Sequence, residues 1–206
     1  MTLSIIAIDR KAGLMGVGVV TGSIAVGSRV PWSVAGIGVV ATQAYTNVSY
    51  GCKGLLLLKR GLRPKDVLSI LLQEDPGREY RQVCIMNSEG EFAVFTGKHS
   101  PQSYGEYLGK DFCVIGNLLV GTDVIEATAS AFEKTKSNIL PVRILKALEA
   151  GVCAGGDKRG HRSAALIISE TMPSDIPWLI NLRVDLSENP INELFKIYEM
   201  YRASLG

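Results

Sequence analysis

The sequence predicts an α+β fold in which two mainly antiparallel sheets pack face to face and helices cover the outside. Short apolar, β-branched runs recur in pairs joined by turn residues, which is the pattern of hairpins. Helical patterns arrive in consecutive pairs, and the strand–helix–strand alternation that builds a parallel sheet is missing. With 47% hydrophobic and 20% charged residues, the 206-residue chain is globular. A chain of that length buries roughly 70% of its unfolded surface. No repeat, linker or low-complexity tract divides it, so residues 1–206 read as one domain.

The elements follow in order. Leu3 to Ile8 and Leu14 to Val20 form a first hairpin around the turn 9–13. Gly16 and Gly18 share one face of its second strand and leave room for a close neighbour. After Pro31-Trp32, the run Gly36 to Gln43 (GIGVVATQ) is a buried strand. Lys53 to Arg60 and Pro64 to Gln73 are helices, the first stopped by Gly61 and the second opened by proline. Arg81 to Asn87 and Glu91 to Thr96 form a second hairpin, and the polar stretch 98–110 reads as a loop. Phe112 to Ile115 is a short strand. Helices are expected from the cap Thr122-Asp123 to Lys136 and from Pro141 to Ala150, the latter closed by Gly151. Ala164 to Ser169 and Leu179 to Val184 are the last strands, before a helix from Asn189-Pro190 to Tyr201.

Composition narrows the function. The net charge is +2 with dispersed basic residues, which argues against nucleic acid as a partner. No apolar run reaches membrane-spanning length, and the N-terminus lacks the basic-then-apolar order of a signal peptide. The expected location is therefore cytoplasmic. Four cysteines without a CxxC pair are expected to be free and buried. The low charge fraction, a mean hydropathy of +0.19 and the run Leu55 to Leu58 predict a homo-oligomer.

Familiar catalytic motifs are missing: the chain has no GxSxG, GxxxxGK[ST], HExxH or GxGxxG. Only His99 and His161 are present, so neither a metal centre nor a cofactor is expected, and both histidines read as surface or hydrogen-bonding residues. One nucleophile needs no histidine. Removal of Met1 would leave Thr2 with its hydroxyl beside a free α-amine of pKa about 7.7–8.0, able to act as its base. Between the third strand and the first helix lie Thr42, Gln43, Thr46, Asn47, Ser49 and Tyr50. This polar cluster reads either as turn and cap chemistry or as a place that binds a ligand.

The blocks MTLSIIAID, IAVGSRVPW, AGIGVVATQAYTNVSYG, DPGREYRQV, GNLLVG and GGDKRGHRSAALII resemble, in order, those of the domain-of-unknown-function family DUF1028. That family is placed among the N-terminal nucleophile (Ntn) hydrolases. The resemblance implies a four-layer αββα sandwich with its site at one end of the sheets, and Thr2 as nucleophile and base. It implies a small-molecule substrate cleaved at an amide bond, without cofactor or metal. Thr42, Gln43 and Asn47 are the expected substrate-binding residues of the strand end. Asn117 is expected to donate to an oxyanion, Arg159 to hold a substrate carboxylate, and Asp157 to orient Arg159 or the amine. Each also has a purely structural reading, Asn117 in a left-handed turn and the other two as a charged pair in a Gly loop. The chain departs from the pattern at Gly22, where a Lys or His is frequent, at Ser100 and Gly105-Glu106, and at Arg162. The alternative reading is a catalytically inactive binding or assembly module on the same fold.

Overall fold

The computed structural model describes residues 2–204. Its strands are β1 (Thr2–Asp9), β2 (Leu14–Thr21), β3 (Pro31–Val34), β4 (Gly38–Ala44), β5 (Arg81–Asn87), β6 (Phe92–Thr96), β7 (Gly105–Leu108), β8 (Phe112–Asn117), β9 (Ser163–Glu170) and β10 (Ile180–Val184). The helices are α1 (Ser49–Lys59), α2 (Pro64–Glu74), α3 (Asp123–Lys134), α4 (Leu140–Cys153) and α5 (Pro190–Ser204). One sheet has six strands in the order β10-β9-β2-β1-β8-β7, and the other four, β3-β4-β5-β6. All neighbouring strands are antiparallel.

Three apolar cores separate four layers. Leu3, Ile5 and Ala7 of β1 point outward to α3 and α4, with Phe132, Ile144 and Leu148 packed on them. Ile6 and Ile8 point inward to Val39 and Ala41 of β4 and to Cys84 and Met86 of β5. Val40, Val83 and Ile85 face α1 and α2 through Tyr50, Leu55, Val67 and Leu71. The strict two-residue alternation is what lets one strand serve two cores. The architecture is thus the αββα sandwich.

The glycine face of β2 receives α4. A Cβ on Gly18 would stand 2.3 Å from Ile144 Cγ2 and 2.9 Å from Leu148 Cδ1, so glycine here sets how closely the helix lies on the sheet.

The departures from expectation are local. Pro31-Trp32 belongs to a strand, β3, whose position at a sheet edge tolerates a proline at its start. The stretch 98–110 contains β7, an edge strand whose side chains alternate between half-buried and exposed, too short and polar to show periodicity. Helix α4 continues through Gly151 to Cys153, because Gly151 packs on Leu3 and on Thr128 of α3 instead of ending the helix. Thr122 stands at the N-cap of α3 without a side-chain cap bond. Of the cysteines, Cys84 and Cys113 are buried in the inter-sheet core, whereas Cys52 and Cys153 are exposed; all four are free.

Candidate active site at the polar end of the sandwich

The inter-sheet core changes character at one end. Continuing the inward parity of Ile6, Val19, Ala41, Cys84 and Ile115 leads to Ser4 and Thr2, Thr21, Gln43, Gln82 and Asn117. Hydrocarbon is replaced by hydroxyls and amides within two residues on each strand. Ser4, Gln43, Gln82 and Asn117 are fully buried, and Thr2 and Thr21 nearly so. Buried polar groups of this kind require partners, and the cluster supplies most of them internally.

Gln82 is the hub. Its Nε2 faces Gly116 O at 3.1 Å, Gly105 O at 3.3 Å and Thr96 Oγ1 at 3.1 Å. Two of these are carbonyls, which only accept, so the orientation of the amide is forced. Gln82 Oε1 therefore accepts, from Gln43 Nε2 at 2.8 Å and from Asn117 Nδ2 at 3.0 Å. Gln43 Nε2 also donates to Thr2 O at 3.2 Å, and Gln43 Oε1 accepts from Ser4 Oγ at 2.6 Å. The start of β1 is thus tied to the opposite sheet. Asn117 lies directly across β8 from Thr2. With its amide nitrogen turned to Gln82, its Oδ1 remains buried and without a partner.

Thr2 opens onto a cavity of about 250 Å³. Thr21, Asn117, Leu118, Val26, Val30, Ala44 and Thr46 line it, with the exposed Ile24 and Tyr45, and it carries two cations, Arg29 and Arg159. Among the described residues that line it there is no Asp, Glu, Lys or His. Thr2 Oγ1 stands 3.3 Å from Thr21 Oγ1.

Arg159 arrives on the loop 155–160, which is organised by Asp157. That buried carboxylate accepts from Arg159 N at 2.8 Å, from Arg159 Nε and Nη2 at 3.2 Å each, and from Gly22 N. Asp157 does not line the cavity; it holds Arg159 at its edge. His161 closes the same loop, its Nε2 accepting from Asp157 N at 3.1 Å. Burial pushes the His161 pKa below its ordinary value, against the pull of the Asp157 charge. Gly22 explains why no larger side chain follows β2 here. A Cβ would come within 2.6 Å of Asp157 Oδ2 and 2.7 Å of Gly160 O.

The cavity therefore gathers Thr2, Asn117 and Arg159, with Asp157 behind Arg159 and Gln43 behind Thr2. Thr42 and Asn47 lie elsewhere. Thr42 is adjacent to Gln43 in β4, so it faces the opposite side of the sheet, where its Oγ1 donates to Asn47 O at 3.1 Å. Asn47 caps α1, its Oδ1 accepting from Ser49 N and Oγ, while its Nδ2 donates to Asp75 Oδ2 at 3.1 Å. Asp75 collects further bonds from Tyr50 Oη and Arg81 Nε, both at 2.9 Å, and from Gly77 N. Arg81 holds the Asp75 carboxyl well below the usual carboxylate range, and burial together with Asp75 pushes Tyr50 up. This second network fastens α1 to the four-stranded sheet. Ser100 and Glu106 also lie off the cavity, Ser100 donating to Arg81 O and Glu106 exposed on β7.

Sequence reasoning did not single out Gln82 and Arg29. Gln82 carried one readable signal, an amide directly before the apolar run 83–86 of its strand and of the same parity as Cys84 and Met86. No cluster of three or more metal-ligating side chains occurs among the described residues, and no described helix is long and apolar enough to cross a membrane.

Comparison with known proteins agrees with this architecture. A crystal structure of a DUF1028 protein from Silicibacter pomeroyi is 32% identical, covering 97% of this chain and 85% of its own, with a TM-score of 0.87. An ancestral β-subunit (Anbu) from Yersinia bercovieri is matched over 100% of this chain and 96% of its own at 9% identity and a TM-score of 0.45, too low to carry any inference. No curated protein sequence matches. The model of the family of unknown function DUF1028 matches residues 2–194, and the chain belongs to that family.

Proposed function

We propose that the protein is an N-terminal-nucleophile amidohydrolase acting on a small amide that carries a carboxylate. The observation that supports it is the Thr2 hydroxyl, held on the first strand at the wall of a cavity with two arginines and no acidic lining residue. Removal of Met1 would free the Thr2 α-amine. The neutral amine takes the proton of Oγ1, Oγ1 attacks the amide carbonyl, and the resulting ammonium returns a proton to the leaving nitrogen. The C–N bond breaks and a Thr2 ester remains. Water, deprotonated by the same amine, then hydrolyses the ester.

The other residues support that chemistry. Thr21 keeps a second hydroxyl beside Oγ1, and Gln43 fixes the Thr2 carbonyl. Arg159, whose Nε and Nη2 are held by Asp157, and Arg29 bring positive potential to the cavity that suits a substrate carboxylate. The volume of about 250 Å³ fits a small molecule.

The test is the mass of the intact protein after incubation with a β-lactone or activated ester probe bearing a carboxylate. One adduct is expected at Thr2, absent in Thr2→Ala, partly retained in Thr2→Ser, and absent when an N-terminal extension blocks the amine. An equal rate of labelling with the amine blocked would reject the mechanism. A second reading, a binding module without turnover, is favoured by the lack of any Lys or His lining the cavity. It predicts stabilisation by small carboxylates with no adduct at Thr2.

A further inference from the structure

We propose that Asn117 Oδ1 is the acceptor that holds the freed α-amine of Thr2, and that Gln82 is the positioning residue that keeps this oxygen, and not the amide nitrogen, available. The proposal rests on the Thr2 reading above. It starts from an accounting of hydrogen bonds. Asn117 is fully buried, its nitrogen is engaged by Gln82 Oε1 at 3.0 Å, and its Oδ1 has no partner. Buried acceptors are rarely left unmatched in native proteins, and each exception asks for a ligand or a function.

The orientation is fixed from outside. The carbonyls of Gly105 and Gly116 require the nitrogen of Gln82 on their side, so the oxygen of Gln82 must face Asn117. That oxygen in turn requires the nitrogen of Asn117. One of the two N–H groups of Asn117 is therefore committed to Gln82. Its oxygen is left as a buried acceptor, on the strand partner of Thr2 and on a residue that lines the cavity. An α-amine is the donor at hand: it has N–H groups in both its neutral and its protonated state. The acceptor favours the ammonium that forms when Oγ1 gives up its proton, and directs the amine lone pair away from itself.

The charged and titratable groups facing this point are few. Arg29 approaches from the segment after β2, Arg159 from the loop 155–160 and Tyr45 from the end of β4, while Asp157 stands behind Arg159. Neither β1, β8 nor β5 contributes a charged lining residue. The two arginines disfavour an ammonium; the Asp157 carboxylate offsets Arg159, and Asn117 Oδ1 acts at the amine itself.

The experiment uses the full chain released from a cleavable tag so that Thr2 is the first residue, with ¹⁵N-threonine and ¹³Cγ-asparagine labels. The expected result is that the Asn117 ¹³Cγ resonance, identified by its loss in Asn117→Asp, titrates with the same midpoint as the Thr2 amine. In Asn117→Asp the new carboxylate raises that midpoint by about 1–3 pH units, the range for an opposite charge within hydrogen-bonding reach. Gln82→Met, which keeps length but removes the acceptor for the Asn117 nitrogen, leaves the Thr2 titration visible but uncouples the Asn117 signal from it. A flat Asn117 signal through the amine titration of the unmodified chain overturns the proposal, and needs no variant to fold. So does an unchanged midpoint in Asn117→Asp. Failure of the probe to acylate Thr2 while Asn117 follows the amine would instead reject the hydrolase and leave this contact standing.

Discussion

Gly22→Ala tests how the site is built, because it adds one methyl at the point where β2 meets the loop that carries Arg159. The methyl carbon would lie 2.6 Å from Asp157 Oδ2, 2.9 Å from Asp157 Cγ and 2.7 Å from the backbone oxygen of Gly160. Asp157 cannot swing aside without losing its bonds to Arg159 and to the Gly22 N–H, and Gly160 O belongs to the main chain. The strand must therefore give way, or the loop must. Overpacking of this kind costs about 1–3 kcal/mol. For a chain of this size each kcal/mol lowers Tm by about 2–4 °C, so a fall of roughly 2–12 °C is expected. Thermal unfolding measures it, with Gly121→Ala as control. Gly121 has no neighbour within 4 Å of an added Cβ, and its φ lies outside the left-handed region. The control should be neutral or slightly stabilising. If Gly22→Ala melts with the unmodified protein, the loop 155–160 is not seated on β2 as described, and the placement of Arg159 fails with it.

Two further outcomes follow from the networks around the site. Asp75→Asn strands the Arg81 guanidinium, only 21% exposed, and should cost about 3 kcal/mol, the low end for breaking a buried pair. Because Arg81 depresses the Asp75 pKa in the folded state, its stabilisation is present above the unfolded carboxylate pKa of about 3.9 and is lost as pH falls below it. Urea titrations at pH 7 and pH 3 check this: the gap between variant and parent should shrink at the lower pH, and a constant gap counts against the ion pair. His161 has a folded pKa lowered by burial, so the unfolded chain binds the extra proton first. Stability should be complete above about pH 6.5 and decline as pH drops from there. His161→Gln, which retains an acceptor for Asp157 N, should flatten that decline, and identical pH curves for the two proteins would remove the histidine from the account.

The layers were legible because apolar runs paired by turn residues, and helices in consecutive pairs, are local signals; strand alternation then sorts the faces in the structure. Leu3-Ser4-Ile5-Ile6 and Val39-Val40-Ala41 each carry their inward and outward faces in the order of the letters. Thr2, Asn117 and Arg159 could be named from residue type and block, and the fold brings them to one cavity. The same alternation rule, applied to Thr42 and Gln43, separates two residues that composition had grouped, and Asn47 went with the helix cap. Gln82 was out of reach for a different reason. Its meaning depends on pairing Gln43 with Gln82 across β4 and β5, and on the approach of Gly105 and Gly116 from the other sheet. Contacts of that range are not written in any local window. Strand β7 was lost to the same limit, since an edge strand is fixed by its partner β8 more than by its own four residues.

The amide cluster itself argues for chemistry at this end of the sandwich. Satisfied buried hydrogen bonds contribute little net stability over well-packed hydrocarbon of the same shape, whereas one missing partner costs about 1–3 kcal/mol. An inter-sheet core built only for stability would continue the series Ile6, Val39, Cys84 and Ile115 to its end. Instead Ser4, Gln43 and Gln82 use their donors on one another and on backbone carbonyls around Thr2. Only Asn117 Oδ1, one atom among them, is left without a partner in its interior. The cluster fixes the direction of every amide in it, and the one acceptor it leaves unmatched belongs to Asn117, the strand partner of Thr2; a ligand or a terminal amine held there is what would complete it.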